Sequence, residues 1–367
     1  MNKIPLIKPY ITQEVKDRVC QVLDSGYLTE GPVTKELENT FKQYIGCEYA
    51  LAVCNCTVGL EVALRALNIG PGDEVIVPDY TYPATAMAVE IVGANIVIVD
   101  VDRELMLIDY DALEDAITPK TKAVIPVSIF GNPLDYDRLN KIKEKYDIFI
   151  IEDAACSIGA EFDSERVGTL ADISVFSLHP RKFITTGEGG IVTTNNKQWA
   201  EWMNSYKHFG IGQSDSRVGT QFERIGTNYK LSNVQAAIGL AQMHQVNELL
   251  SKRSQFASRY YEMLYENPKI ALPKVTRKGT HSWQSCCVFI DHRNEVINKL
   301  KEINIETQIG TYALHMHKAF RDNLNCSIIG DMSESRYAFD HCLTLPLYHD
   351  MTVEEQDYVI NNLKELL

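Results

Sequence analysis

Three stretches of this 367-residue chain carry residue types at spacings that can do chemistry. The first is Ile151-Glu152-Asp153-Ala154-Ala155, where two acids directly follow an apolar run. Ligands of open parallel sheets sit beyond the carboxyl ends of strands. An acid there can face a bound cation, and it can equally serve as a helix cap. The second stretch runs Phe176-Ser177-Leu178-His179-Pro180-Arg181-Lys182 and leads into Thr185-Thr186-Gly187-Glu188-Gly189-Gly190. One lysine among many exposed lysines carries no information. A lysine that follows a strand and a serine and precedes a glycine cluster is sharper, because glycine lets a backbone approach a ligand closely. The third stretch, Cys56-Thr57-Val58, lies where a strand meets a helix. Free amides and the dipole at a helix start favour a phosphate, although Thr57 also fits an ordinary N-cap.

Together these pieces fit pyridoxal phosphate. An amine, Lys182, can form a Schiff base with the aldehyde. A carboxylate, Asp153, can keep the pyridine nitrogen protonated so that the ring acts as an electron sink. The helix start at Thr57 and Val58 and the Ser177 hydroxyl suit the phosphate. Tyr82, just beyond the apolar run EVIVP, can stack on the ring.

These residues need a scaffold, and the sequence pattern supplies one. Helices are expected at 12–24 and 33–44, the latter stopped by Gly46. Strand and helix then alternate: strands at 50–54, 74–78, 95–101, 122–130, 148–154, 171–177 and 190–194, with helices between. Short apolar strands separated by helices imply an α/β fold with a mostly parallel sheet covered on both faces. A large domain is expected over residues 1–245 and a smaller C-terminal α+β domain over 246–367.

Composition narrows the function class. The formal net charge is -13, which argues against a nucleic-acid or anionic-membrane binder. The first residues lack a secretory apolar region, and the apolar stretches are too short to span a membrane. Nine scattered cysteines read as reduced structural thiols rather than a disulfide or metal framework. No metal site is indicated, and a cytoplasmic protein is expected.

The chain resembles the DegT-type family of sugar aminotransferases, which act on nucleotide-linked keto sugars. The blocks that carry the resemblance include GYLTEGPVTKELE (26–38), CTVGLEVALRALNIGPGDEVIVPDYTYPATA (56–86), IEDAACSIGAEF (151–162), FSLHPRKFITTGEGGIVTT (176–194) and GTNYKLSNVQAAIGLAQM (226–243). The resemblance implies an aspartate-aminotransferase-like fold of type I, with pyridoxal 5'-phosphate as cofactor. It gives Lys182 the cofactor linkage and the proton shuttle, and Asp153 the pyridinium nitrogen. It gives Tyr82 the ring face, and Thr57, Val58 and Ser177 the phosphate. It implies that Asn228 reaches the phosphate of a neighbouring subunit, so that a homodimer shares its two active sites. Three positions depart from the family pattern. Cys156 stands where a cofactor-contacting Gln is usual, and thiol is a poorer hydrogen-bonding group. Cys56 stands where Gly is frequent. Lys230 replaces an Arg, which removes a bidentate grip on a diphosphate. Lys230, Tyr312 and His315 are the substrate-contact candidates.

The resemblance implies transfer of an amino group from L-glutamate to a keto sugar carried on a nucleotide. Two rival readings stay open: a transaminase for a small phosphorylated ketone, and a dehydratase of the same fold. The dehydratases carry His in place of the catalytic lysine, and this chain has Lys182. Acceptor choice is expected to depend on loops such as 208–222.

Overall fold

The computed structural model describes residues 3–212 and 218–367, so part of the 208–222 loop lies outside the described residues. An eight-stranded sheet forms the centre of the molecule. Its spatial order is Tyr49–Val53, Gly190–Thr194, Ile173–Ser177, Phe149–Asp153, Thr121–Val124, Glu74–Pro78, Asn95–Val99 and Cys326–Ile329. The first two junctions are antiparallel. The remaining five are parallel.

Alternation along each strand explains why the strands read as unbroken apolar runs. Ile96 and Ile98 enter one core with Leu60, Leu64 and Val89. Val97 and Val99 enter the other, with Leu37 and Phe41. Successive side chains point to opposite faces, and helices bury both faces. The Cys56–Ala66 helix lies flush on the sheet because Gly59 replaces a side chain there. A Cβ at that position would come 2.5 Å from Val175 Cγ1.

One strand is shorter than its apolar run suggests. Residues 122–130 read as a strand, but the regular strand ends at Val124, an isolated bridge from Val127 to Asp153 follows, and Ile129–Gly131 form a 3-10 turn. Pro126 interrupts the ladder because it has no N–H to donate. Its carbonyl still accepts from Asp153 N at 3.0 Å.

A second, antiparallel sheet of four strands orders Ile270–Ala271, Cys286–Ile290, Cys342–Leu345 and Gln308–Ile309. Its core draws on the helices Val246–Leu264, Arg293–Glu302 and Val353–Leu366 through Tyr260, Leu300 and Ile360. The two units are not cleanly separated along the chain at residue 245. Ile4 bridges to Ile305 and joins the smaller core, and Leu347 N donates to Leu6 O at 3.0 Å. In the other direction, Cys326–Ile329 leaves the C-terminal unit to pair with Asn95–Val99. Burial of short apolar segments decides both crossings, since each completes a core or a ladder that its own neighbourhood does not offer. Among the described residues, no helix is long and apolar enough to cross a membrane.

Candidate active site

Asp153 is the last residue of its strand, at the carboxyl edge of the sheet, and it is buried. Its Oδ1 accepts from Ala155 N at 3.1 Å and its Oδ2 from the Thr85 hydroxyl at 2.8 Å. Burial pushes the Asp153 carboxyl up from its ordinary value, against the Thr85 hydroxyl, the Ala155 amide and the Lys182 charge. The neighbouring Glu152 has a different fate. It accepts from Tyr136 at 2.6 Å, from Ser174 at 3.0 Å and from Ser128, all in the interior. Glu152 is therefore a structural acid, raised by burial, and Asp153 is the one left for a ligand.

Lys182 sits in the loop after Ile173–Ser177, and its Nζ donates to Cys156 Sγ at 3.1 Å. Burial works to lower the ammonium. The Cys156 and Cys56 sulfurs and the Asp153 carboxylate outweigh it and leave the group raised. Two buried glutamines grip the loop. Gln284 donates to Arg181 O at 2.8 Å and accepts from Phe183 N at 3.1 Å, so one amide straddles Lys182. Gln242 donates to Thr185 O at 2.7 Å and accepts from Thr185 N at 3.1 Å. The glycine cluster then turns the chain back, with Leu178 N donating to Gly189 O at 2.9 Å.

The start of the Cys56–Ala66 helix is the candidate anion cradle. Its cap is Asn55, whose side chain accepts from Val58 N at 2.9 Å. Thr57 is thus inside the first turn and is not the cap. Asn55 is as good a capping residue and stands two positions earlier. The amides of Cys56 and Thr57 lie in the first turn, where an α-helix offers no i−4 carbonyl. Gly190 lets the returning strand pass close by, since a Cβ there would meet Cys56 N at 2.9 Å. Ser177, at the end of the adjacent strand, accepts from His179 N at 3.4 Å.

Tyr82 stands 65% exposed, an unusual position for an aromatic at the edge of a buried sheet. Tyr312 lies 6.1 Å away, centroid to centroid. A two-stranded ladder of Tyr80–Thr81 with Tyr312–Ala313 brings that C-terminal segment alongside. His315 is fixed there by Asp79, a fully buried acid. Asp79 takes the His315 amide at 2.7 Å and its Nδ1 at 2.6 Å.

Lys182, Asp153, Cys56 and Cys156 therefore form one interacting group, and Thr85 ties Asp153 to the Tyr82 turn. Asn228 and Lys230 are placed differently. They bond each other, Lys230 lies 4.8 Å over the Phe209 ring, and neither bonds Lys182 or Asp153. Tyr229 joins their segment to the cradle: its carbonyl accepts from Cys54 N at 3.0 Å and its hydroxyl donates to Glu61 at 3.0 Å. Sequence reasoning missed Asn55, Thr85, Asp79, Gln242 and Gln284. Only Asn55, a capping residue before a helix, and Thr85, three residues after Tyr82 in a helix's first turn, left a local signal.

Known proteins share this fold. Residues 9–364 match the DegT/DnrJ/EryC1/StrS aminotransferase family. MJ1066, an uncharacterized protein of Methanocaldococcus jannaschii, is 34% identical over 378 residues, covering 99% of this chain and 97% of its own. Among solved structures, Spr1654 of Streptococcus pneumoniae in its apo form superposes with a TM-score of 0.93 at 30% identity. That alignment covers 99% of this chain and 97% of Spr1654. Spr1654 has also been solved in PLP and PMP forms. DesV of S. venezuelae gives a TM-score of 0.91 at 28% identity, covering 100% of this chain and 99% of its own. The architecture is thus that of the type I, aspartate-aminotransferase-like enzymes, as the sequence resemblance implied. With a family match that spans nearly the whole sequence, and a lysine and a buried acid set at the carboxyl edge of its sheet, this chain belongs to the DegT/DnrJ/EryC1/StrS aminotransferase family.

Proposed function

We propose that this aminotransferase works on pyridoxal 5'-phosphate and moves an amino group from L-glutamate to a nucleotide-linked keto sugar, most suitably of the 4-keto-6-deoxy type. The carrying observation is the juxtaposition of Lys182 with the buried Asp153, both at the carboxyl edge of the sheet beside an open helix start. The residues fit the cofactor. Lys182 offers the amine and Asp153 the partner for a ring nitrogen. Tyr82 offers an exposed ring face, and the amides of Cys56 and Thr57 with the Ser177 hydroxyl offer the phosphate end, beside Val58, whose own amide is held by Asn55. Asn228 and Lys230 lie off this group within one chain, which suits contacts across the two-fold axis of a homodimer.

When bound, the cofactor supplies an electron sink for the carbanion formed as the amino group changes hands. The chain supplies the rest. Asp153, held by two donors, keeps a negative charge against the ring nitrogen. Lys182 Nζ takes and returns the proton at the substrate carbon, with Cys156 beside it as a weak hydrogen-bond partner. Tyr312 lies beside Tyr82, and His315, anchored on Asp79, follows Tyr312 by three residues, so both are candidates to meet the acceptor. A sugar acceptor is supported by Spr1654, which is named as a candidate sugar aminotransferase. Nine free cysteines suit the reducing cytoplasm.

The test is a pair of half-reactions. The protein, loaded with pyridoxal phosphate, is treated with L-glutamate until the visible band of the lysine-bound cofactor is lost. Nucleotide-linked 4-keto and 3-keto sugars and small phosphorylated ketones are then added one at a time. Return of the band with a nucleotide sugar supports the proposal. Return with a small ketone alone overturns the acceptor class, and failure of glutamate to bleach the band overturns the donor. Lys182→Ala should abolish both half-reactions; persistent turnover would remove Lys182 from its role.

A further inference from the structure

We propose that Thr85 is a positioning residue that fixes the Asp153 carboxylate against the Tyr82 platform and holds it in its charged form. The inference rests on the cofactor reading above and concerns the slot between a ring's face and its edge.

The geometry is compact. Thr85 Oγ1 lies 2.8 Å from Asp153 Oδ2, 2.9 Å from Thr81 Oγ1 and 3.2 Å from Tyr82 O. Thr85 and Thr81 are fully buried, so water does not compete for these bonds. A hydroxyl carries one hydrogen and two lone pairs. Two of the three neighbours, the carboxylate and the Tyr82 carbonyl, can only accept while Asp153 is ionised. The charged acceptor takes the hydrogen, because charge-assisted bonds are the stronger ones. Thr85 then has no proton left for Thr81, so Thr81 must be the donor in that pair. The bonds run one way, from Thr81 to Thr85 to Asp153.

Protonating Asp153 reverses the last step. The acid would donate to Thr85, and the Thr85 hydrogen would turn to the Tyr82 carbonyl. The hydroxyl thus serves both states but gives the charged one two aligned donors, with the Ala155 amide on the other oxygen. A threonine in the first helical turn often bonds a nearby carbonyl. The Asp153 bond is different, since it spans 68 residues of sequence. While the hydroxyl serves Asp153, the Thr85 amide donates to Tyr82 O at 3.2 Å, so one residue joins the Tyr82 turn to the acid that would face a ring nitrogen.

The experiment uses the full chain, with Thr85→Val and Thr85→Ser reconstituted with pyridoxal phosphate. Two quantities are read: the cofactor dissociation constant and the pH midpoint of the visible band. Valine keeps the shape and removes the donor. It should weaken the cofactor roughly tenfold, the scale of one lost bond to an ionised group, and displace the midpoint. Serine restores the hydroxyl and should keep both values. A valine variant with the wild-type constant and midpoint overturns the proposal, and so does a serine variant that fails as valine does. If valine prevents folding, Thr81→Val serves instead, with a smaller displacement of the same midpoint expected and none overturning the proposal. A wild-type protein that binds no pyridoxal phosphate would instead overturn the cofactor reading on which this rests.

Discussion

Gln284 offers a direct test of how the lysine loop is held. Its side-chain amide donates to Arg181 O and accepts from Phe183 N, one residue to each side of Lys182. Replacing it with leucine keeps the volume and deletes both bonds. The two ends suffer unequally. Arg181 is exposed, so its carbonyl can turn to water, and the loss there is about 0.5–1.5 kcal/mol. Phe183 is buried, and its N–H would be left without a partner at a cost of about 1–3 kcal/mol. Gln284→Leu should therefore lose about 1.5–4.5 kcal/mol of folding stability in urea titration. The Gln284 carbonyl still receives Arg253 Nη2 at 2.6 Å, so the rest of the junction should survive. The functional effect should exceed the structural one. A displacement of Lys182 near 1 Å costs on the order of a hundredfold in a positioned step. Single-turnover bleaching by the amino donor should slow by about that factor while the cofactor stays bound. A variant that loses less than about 1 kcal/mol and bleaches at the wild-type rate would refute the idea that this amide positions the lysine.

Three further outcomes follow from other contacts. Lys207 is buried against Glu30 at 3.0 Å, Glu38 at 3.2 Å and Ala52 O at 2.9 Å, so Lys207→Met should cost about 3–5 kcal/mol in denaturant unfolding. Adding Glu38→Gln to that variant should recover part of the loss, and no recovery would argue against a charge effect. Burial raises the Glu30 carboxyl, but His208 and Lys207 outweigh it and hold it low. A carboxyl lowered in the fold stabilises above its unfolded value, so this contribution should fade as pH falls through the lower, folded value. Glu30→Gln should flatten that part of the pH–stability curve. Gly190→Ala would drive a Cβ to 2.8 Å from Asn55 C and 2.9 Å from Cys56 N, which should weaken pyridoxal phosphate binding in a titration and cost about 1–3 kcal/mol of stability.

Much of the scaffold is legible in the sequence because it is written locally. The run Phe149–Asp153 announces itself by apolar residues that end in acids, and the glycines after Lys182 mark a turn. Which of the two acids serves a ligand is not local. Glu152 is consumed by Ser128, Tyr136 and Ser174, and Ser128 lies 24 residues away in sequence. The grip on Lys182 comes from Gln284, 101 residues from Phe183, and from Gln242, 57 residues from Thr185. A glutamine has no pattern that reveals such a partner. The sequence points to Thr57 as the cap of the cradle helix, and the structure moves it to Asn55, an equally favourable capping residue two positions earlier. The strand Cys326–Ile329 is four residues long, too short for periodicity to separate it from a loop.

The crossings at the two ends of the chain have a consequence for synthesis. The strand Asn95–Val99 is made early, yet the neighbour that covers its outer side comes from Cys326–Ile329. More than two hundred residues must leave the ribosome while that edge stands open. Ile4 and Leu6 wait in the same way for Ile305 and Leu347. Exposed strand edges recruit other strands, and pairings that span much of a chain form slowly. The nascent protein thus carries an uncovered edge until residues 326–329 appear and an undocked segment around Ile4 and Leu6 until Leu347 appears. The window for misassembly closes late, and an unpaired edge of this kind leaves the incomplete chain prone to aggregate for most of its translation.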